Sequence, residues 1–303
     1  MNMNLINRVV DSYSKTLSGD DQARLKFFQG LWEEMQRWST GPVAAVNSYE
    51  FPDQEHITAA WDRDEAIFSL VSVDLSADRL VAIFNALRNT YTQSAMTEDK
   101  GNDELLGIDA KAVLTSELLS KAAKDPESFA QELFDALKAK ASESTARIAV
   151  MLMMLALRVE FEPIAQKLMK QFPKGDDIHH YPLRCPVCGS SPALAKVGGE
   201  ESPTDGRGRS LYCQQCGCVW DFERIRCARC GTRNQGHLHY FNIEGDDGHR
   251  IATCDECGDY IRTVFLEESL MPFSFEVEEV VTARLDAVAR DPRFQPSDDN
   301  NNQ

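Results

Sequence analysis

The sequence predicts an α+β fold, with an all-α N-terminal domain followed by two tandem cysteine-rich subdomains of short antiparallel β-hairpins. Three observations predict it. Apolar residues recur at helical spacing through the first half of the chain. Short β-branched and aromatic runs separated by glycine-rich turns follow in the second half. All nine cysteines lie between Cys185 and Cys257, so the thiols serve one local purpose.

Three helices are predicted from apolar residues three and four positions apart or from their capping residues. The first covers Asp20–Trp38. The second covers Leu75–Gln93, with Ser76 as its N-cap. The third covers Pro126–Ala141, because Asp125 can cap a helix that starts with proline.

A fourth helix is predicted from about Glu143 to Gln171. Its segment Ile148–Leu157 is apolar on every face, so we expect a central helix buried by its neighbours and not a membrane contact. Pro163 is expected to kink or break this helix, since proline removes a backbone donor.

The composition changes at residues 172–184, where Pro, Gly and charged residues mix. We therefore predict a helical domain at 1–175, a first metal subdomain at 181–225, a second at 226–270, and a C-terminal helix with a disordered tail at 271–303. That helix is expected at Glu276–Arg290, and an exposed, mobile loop at Gly198–Arg209. The predicted strands are Leu211–Cys213, Val219–Phe222, His239–Ile243 and Tyr260–Phe265.

Four Cys-x-x-Cys-Gly knuckles carry the candidate chemistry. Two residues between cysteines let both sulfurs reach one ion, and the following glycine accepts the positive φ of a tight turn. In a reducing compartment such pairs are more often metal ligands than disulfides. The eight candidate ligands are Cys185, Cys188, Cys213, Cys216, Cys227, Cys230, Cys254 and Cys257.

The spacing between the first two knuckles is nearly repeated between the last two, which favours sequential pairing. The first four cysteines would then form one site and the last four another. An interleaved pairing, as in cross-brace domains, stays open because the linker from Cys216 to Cys227 is short but not prohibitive.

Four thiolates suit both zinc and a single iron. Zinc is the commoner ion in such sites, whereas the Cys-Pro-x-Cys-Gly form of the first knuckle is typical of rubredoxins, so the subdomains are expected to be rubredoxin-like or zinc ribbons. With four protein ligands neither site has an open position, which favours a structural role. No catalytic residue and no organic cofactor site is predicted, because the chain lacks the common phosphate, dinucleotide and hydrolase motifs.

None of the other cysteine or histidine residues near the knuckles is expected to be a metal ligand. Cys218 is either a reactive thiol beside the metal or a small buried hydrophobe, and we expect the second. The nearby histidines are expected to be hydrogen-bonding or surface residues and not ligands; they are His179, His180, His237 and His239.

The formal charge of −16 disfavours nucleic acid as a partner, since such contacts need lysine or arginine to displace counterions from phosphate. The chain shows neither a secretory leader nor an apolar run long enough for a bilayer, so we expect a cytoplasmic protein without membrane insertion.

The cysteine-rich half resembles the family of the formate dehydrogenase accessory protein FdhE. The resemblance rests on CPVCGSSP, LYCQQCGCVWDFERIRCARCG, HLHYFNIEG and TCDECGDYIR after a helical half. It implies a cytoplasmic, non-enzymatic maturation factor that binds the catalytic subunit of a respiratory, molybdenum-dependent formate dehydrogenase. It also implies two mononuclear rubredoxin-like iron sites at the eight knuckle cysteines.

Two other functions compete with this one. A mononuclear iron in four thiolates can change oxidation state, so a rubredoxin-like electron-transfer protein is one alternative. A zinc ribbon that binds nucleic acid is the other, although the charge disfavours it.

Overall fold

The computed structural model describes residues 1–40, 51–94, 99–173, 180–199, 208–267 and 271–291. Helices occupy most of the chain before the first knuckle, and two more follow the last strand. In chain order they are α1 (Met3–Tyr13), α2 (Gly19–Thr40), α3 (Gln54–Asp62), α4 (Ile67–Leu70), α5 (Ala77–Thr92), α6 (Asp99–Leu106), α7 (Ala110–Val113), α8 (Ser116–Lys124), α9 (Pro126–Lys138), α10 (Glu143–Leu168), α11 (Phe275–Val281) and α12 (Arg284–Ala289).

The helices predicted from periodicity and caps are α2, α5, α9 and α10. Ser76 accepts a hydrogen bond from the Arg79 backbone N–H at the start of α5. Asp125 does the same for Ser128 at the start of α9. Both predicted N-caps are therefore confirmed, because each satisfies a backbone donor that the first helical turn leaves without a partner.

The predicted central helix is α10, and its second half is buried on nearly every side. The expectation that Pro163 breaks it is wrong, since α10 continues through Pro163 to Leu168 and ends in a short 3-10 turn. Packing from the surrounding helices holds the backbone helical despite the lost donor. No helix in the described ranges is both long and apolar enough to cross a bilayer.

The polar opening of the chain also forms a helix, which we did not predict. Asn2 caps α1, and the helix buries one narrow face that includes Ile6, Val9 and Tyr13. The predicted C-terminal helix Glu276–Arg290 is instead the two short helices α11 and α12. Residues 200–207 of the predicted loop and 292–303 of the predicted tail lie outside the described ranges.

The cysteine-rich half forms one six-stranded sheet in the order β3-β2-β1-β6-β5-β4. Its strands are β1 (Leu194–Val197), β2 (Arg209–Tyr212), β3 (Val219–Phe222), β4 (Leu238–Ile243), β5 (Asp246–Cys254) and β6 (Tyr260–Phe265). The four predicted strands correspond to β2, β3, β4 and β6. The α+β class with antiparallel hairpins after a helical half is confirmed.

Each half of the sheet repeats one unit of knuckle, two strands, knuckle and third strand. In the first half β2 leads into the knuckle at Cys213, and in the second half β5 leads into the knuckle at Cys254. Within each half the three strands pair antiparallel in chain order. The near-equal knuckle spacing in the sequence thus corresponds to a duplicated structural unit.

The two units join through one parallel pairing that the sequence did not predict. β1 lies beside β6, with Leu194 opposite Arg262 and Val197 opposite Phe265. The first and last strands of the duplicated region therefore become neighbours, and a continuous sheet carries both knuckle pairs. β3 and β4 are the two edges.

The main hydrophobic core runs without interruption from the helices into the first sheet unit. It includes Phe161 of α10 together with Leu211 and Trp220 of the sheet. A smaller cluster on the other side holds Leu194 and Tyr212. The second sheet unit is much less covered, because most residues of β4 are exposed.

Arg158 of α10 is the main polar link between the helices and the sheet. It is 3% exposed. Its guanidinium donates to Glu162 at 3.1 Å and to Glu276 of α11 at 2.8 Å. It also donates to the Tyr212 hydroxyl at 2.5 Å and to the Gln214 carbonyl at 3.2 Å. Five donors in a rigid fork allow one arginine to join three elements in this way.

We predict that Arg158→Ala destabilises the protein by about 3 to 5 kcal/mol, because Glu276 loses this cation and Glu162 keeps only the Met1 ammonium. Urea unfolding followed by far-UV circular dichroism measures the change. Arg147→Ala is the matched control on the same helix; its pair with Glu143 is exposed and its loss should cost below about 1 kcal/mol. An equal loss in the free energy of unfolding for the two variants would contradict a stabilising role of the buried Arg158 network.

A second buried cluster joins α1, β5 and α11 around His249. Its two ring nitrogens lie 2.8 Å from Asp246 and 2.9 Å from Glu278, and Tyr13 donates its hydroxyl to Glu278 at 2.8 Å. Arg284 also pairs with Asp246. Burial alone would lower the pKa of His249, but the hydrogen bonds to both carboxylates raise it to about 9.

The pKa of His249 predicts a stability that depends on pH in the alkaline range. A folded-state pKa above the unfolded value means that the stabilisation is complete below about pH 6.5 and is lost as pH rises through about 9. The stability difference between the wild type and His249→Gln should therefore shrink between pH 7 and pH 10. Urea midpoints across this range measure it, and a constant difference would contradict a charged His249.

Candidate metal centres

The eight knuckle cysteines lie in two groups of four. Within each group all the sulfur atoms lie within 4.8 Å of one another. One group comprises Cys185, Cys188, Cys213 and Cys216, and the other comprises Cys227, Cys230, Cys254 and Cys257. The sulfurs thus assemble from knuckles that follow each other in the chain and not in an interleaved order.

The sulfur separations fit one tetrahedral ion in each group. Around an ion at about 2.3 Å from each sulfur, tetrahedral geometry places the sulfurs about 3.8 Å apart. Cys185 lies 3.5 Å from Cys216, and Cys188 lies 3.5 Å from Cys213. In the second group the distances are 3.8 Å from Cys227 to Cys257 and from Cys230 to Cys254. Each group can therefore hold one metal ion, and this geometry suits zinc and iron alike.

The four knuckles share one backbone hydrogen-bond pattern. The glycine N–H donates to the carbonyl of the first cysteine, and the N–H of that cysteine donates to the carbonyl of the residue after the glycine. In the first knuckle these bonds join Gly189 to Cys185 at 2.8 Å and Cys185 to Ser190 at 2.9 Å. All four glycines have φ between 68° and 81°, which an L side chain rarely adopts.

The first group is built into the helical domain. Its four cysteines are at most 1% exposed. The backbone N–H groups of Ile67 and Phe68 in α4 donate to the carbonyls of Pro186 and Val187, both at 2.9 Å. A side chain at Gly217 would come within 3.3 Å of Arg158 and Glu162, so α10 packs directly on the second knuckle.

The buried thiols of the first group do not ionise equally. Burial raises the pKa of the Cys213 and Cys216 thiols well above their ordinary value. Cys185 is just as buried, but hydrogen bonds from its neighbouring thiols hold its pKa well below that value. Binding of an ion must therefore displace protons from Cys213 and Cys216.

The second group stands at the surface. Cys230 and Cys257 are exposed, whereas Cys227 and Cys254 are buried. The Arg229 backbone N–H points at Cys227 sulfur, at 3.3 Å. An N–H near sulfur stabilises a thiolate and tunes a bound metal. The two groups therefore have the same kind of ligand and the same backbone geometry, but they differ in their exposure to solvent.

Cys218 is a fifth buried thiol beside the first group, with hydrogen-bond contacts to Cys185 and Cys216. Burial raises the pKa of its thiol. Its backbone carbonyl accepts the N–H of Cys213 at 2.8 Å, which is the role of Ser190 in the first knuckle. The prediction of a small buried residue is thus consistent with its position.

Of the flanking histidines, those that the structure describes lie outside both groups of sulfurs. His239 lies 2.8 Å from Asp255, and His237 lies 3.5 Å from Glu256. His180 contacts Asp64 at 2.9 Å, and His179 lies outside the described ranges. The described histidines of this set therefore contact carboxylates, as expected for hydrogen-bonding or surface residues.

Comparison with known proteins finds related sequences and a related structure, although no family model matches the chain. The FdhE homologue of Aquifex aeolicus is 32% identical over 111 residues, which cover 36% of this chain and 38% of the relative. The FdhE homologue of Pseudomonas aeruginosa is 34% identical over 91 residues, which cover 27% of this chain and 28% of the relative. These matches span less than two fifths of the relatives' own length.

The fold comparison extends over nearly the whole molecule. The crystal structure of the FdhE protein from Pseudomonas aeruginosa superposes with a TM-score of 0.59, covering 95% of this chain and 92% of that chain. Its sequence identity is 19%, so this likeness concerns the fold. Over part of its length this chain is thus similar in sequence to FdhE homologues, and its fold is similar to that of an FdhE protein.

Sequence reasoning missed the residues that tie the two cysteine groups to the rest of the molecule. Arg158 packs on Gly217, and α4 donates to the first knuckle, but neither lies near a cysteine in the sequence. A charged residue directly after the apolar segment Ile148–Leu157 was the one available signal for Arg158. The knuckle motifs could not predict that the two groups differ in exposure, because all four motifs are alike.

We predict that the second group exchanges metal faster than the first, because a chelator can reach Cys230 and Cys257 directly. On fully zinc-loaded protein, an excess of a chromogenic chelator should withdraw two equivalents in two phases. Cys257→Ser should abolish the fast phase and keep the slow one. Release of both ions in one phase, or loss of both ions in Cys257→Ser, would contradict independent groups of unequal access.

Proposed function

We propose that this protein is a non-enzymatic accessory factor in the maturation of a respiratory, molybdenum-dependent formate dehydrogenase. It acts in the cytoplasm and binds the catalytic subunit of that enzyme. The observation that carries this proposal is the sequence similarity to FdhE homologues, together with a fold similar to that of the Pseudomonas aeruginosa FdhE protein over almost the whole chain.

The chemistry of the cysteine groups supports an accessory role. Four cysteines in each group leave no position for substrate or water on a tetrahedral ion. We propose that all eight are metal ligands, that each group binds one ion, and that iron is the ion in the cell. The first ion then stabilises the junction with the helices, and the second lies where a partner can reach it.

The edge strand β4 offers a surface for the client. Its outer edge carries no neighbouring strand among the described residues. Tyr240 is 42% exposed and Phe241 is 52% exposed, on opposite faces of the strand. Ile225 nearby is 49% exposed. An open strand edge with exposed aromatic side chains is a common docking surface for an extended protein segment.

We predict that Phe241→Asp weakens binding of the catalytic subunit at least tenfold, since an apolar contact is replaced by a charge. Co-purification and titration with the isolated subunit measure the effect on the metal-loaded protein. Leu106→Asp is the matched control, because Leu106 is 45% exposed on α6 away from the sheet.

Absence of binding by the folded, metal-loaded wild type would overturn the proposed function. Equal loss in Phe241→Asp and Leu106→Asp would place the contact elsewhere and refute the docking surface alone. Retained metal content in both variants is the check that the change is local.

Electron transfer is a second candidate, favoured by the exposure of Cys230 and Cys257. An iron in this group would lie close enough to the surface for exchange with a partner. Ferric-thiolate absorption that bleaches on reduction and returns on oxidation would support it, whereas protein that holds only zinc excludes it.

A further inference from the structure

A cavity of about 230 Å³ lies beside the second cysteine group, between the two halves of the sheet. Its wall is formed by β2, β4, β5 and β6 together with the segment between β3 and the third knuckle. Ile225 and Tyr240 of the proposed docking surface lie in its wall, but the proposals above do not use its charged lining. Its lining differs in charge from the chain as a whole.

Four arginines line the cavity, against one carboxylate, that of Asp259. Arg229 lies 3.5 Å from Asp259 and donates to two backbone carbonyls. Arg226 forms an ion pair with Glu223, so a carboxylate of the protein itself already neutralises this arginine. The other two are Arg209 and Arg224. In a chain with a net charge of −16, this concentration of positive charge in one concave site points to an anionic ligand.

Arg209 is the unusual member of this set. It is 4% exposed, and within the described residues it pairs with no carboxylate. One terminal nitrogen donates to the Arg226 carbonyl at 2.8 Å, but its Nε is buried without an acceptor. Burial lowers the pKa of Arg209, and the electrostatic effects of Tyr240 and Cys227 offset this only in part. A buried guanidinium with an unused donor is costly unless a ligand supplies the acceptor.

Arg224 extends the same positive wall towards solvent. It is exposed, and among the described residues it has no ion pair. Ile225 and Tyr240 line the cavity as well, and both are unusually exposed for large apolar side chains. The site therefore combines two arginines available for an anion with an apolar wall, which suits a carboxylate on a carbon chain better than a bare inorganic ion.

Charge compensation of the metal thiolates is the simpler role for these arginines. Arg209 interacts electrostatically with Cys227, but its hydrogen bond goes to a backbone carbonyl and not to sulfur, so charge compensation is not the whole explanation. The two roles also differ in their consequence. Loss of a compensating arginine changes metal retention, whereas loss of a ligand-binding arginine changes ligand affinity.

We infer that this cavity binds a carboxylate carried on a short apolar arm, with Arg209 and Arg224 as its donors. A glutamate or aspartate side chain of a bound peptide segment and a small free carboxylic acid share this chemistry. The inference does not depend on formate dehydrogenase being the client.

The test uses the full-length, zinc-loaded protein and NMR titrations with four probes. They are propionate, the peptide acetyl-Ala-Glu-Ala-amide, the same peptide with glutamine, and inorganic phosphate. We expect the glutamate peptide or propionate to bind at least tenfold more tightly than the glutamine peptide and phosphate. The ratio of the first two affinities distinguishes a peptide from a free acid as the source.

Two variants locate the site. Arg224→Gln removes an exposed donor without disturbing the core and should weaken carboxylate binding about tenfold or more, with both zinc equivalents retained. Arg209→Gln should weaken it further, and Arg209→Lys should restore part of the loss. Arg233→Gln is the matched control, because Arg233 pairs with Glu223 and does not line the cavity.

The inference is overturned if neither carboxylate probe binds the wild type, or if phosphate binds equally well. It is also overturned if Arg224→Gln and Arg233→Gln weaken binding to the same extent. Loss of zinc in Arg224→Gln with unchanged carboxylate affinity would assign this arginine to thiolate compensation. None of these outcomes bears on the binding of the catalytic subunit, so the two proposals can fail separately.

Discussion

The guanidinium of Arg158 is the contact on which the relation between the helices and the sheet depends. Burying this charge is unfavourable unless every donor finds a partner, and its partners come from α10, β2 and α11. The same side chain closes over Gly217 in the second knuckle. The position of the first cysteine group is therefore set by an ion network in the helical core as well as by its own turns.

The two duplicated sheet units place the same knuckle motif in two different environments. Knuckle backbones, glycine conformations and sulfur separations are nearly the same in both groups. The first unit buries its cysteines against the helical core, whereas the second unit leaves Cys230 and Cys257 exposed and β4 at an open edge. A stabilising role suits the first group, and contact with other molecules suits the second.

Sequence reasoning succeeded where the determining interactions are local. N-caps at Ser76 and Asp125 and the apolar faces of α2 and α5 depend on residues within one or two helical turns. It failed where the partner is distant. β5 was missed because its sequence DDGHRIATC opens with polar residues, and β1 because one of its two neighbours in the sheet is the distant β6. The sequence does not distinguish Arg158 and His249 from the other charged residues, because the partners of each lie on separate elements that are distant in the chain.

The parallel pairing of β1 with β6 has a consequence during synthesis on the ribosome. The chain emerges N-terminus first, so α1 to α10, including α4, which contacts the first knuckle, leave the exit tunnel before any cysteine does. β1 cannot pair with β6 until the chain has been synthesised as far as that strand, which includes Arg262. During that interval the first ion can already be captured, while one side of β1 stays open to a chaperone or to another nascent chain.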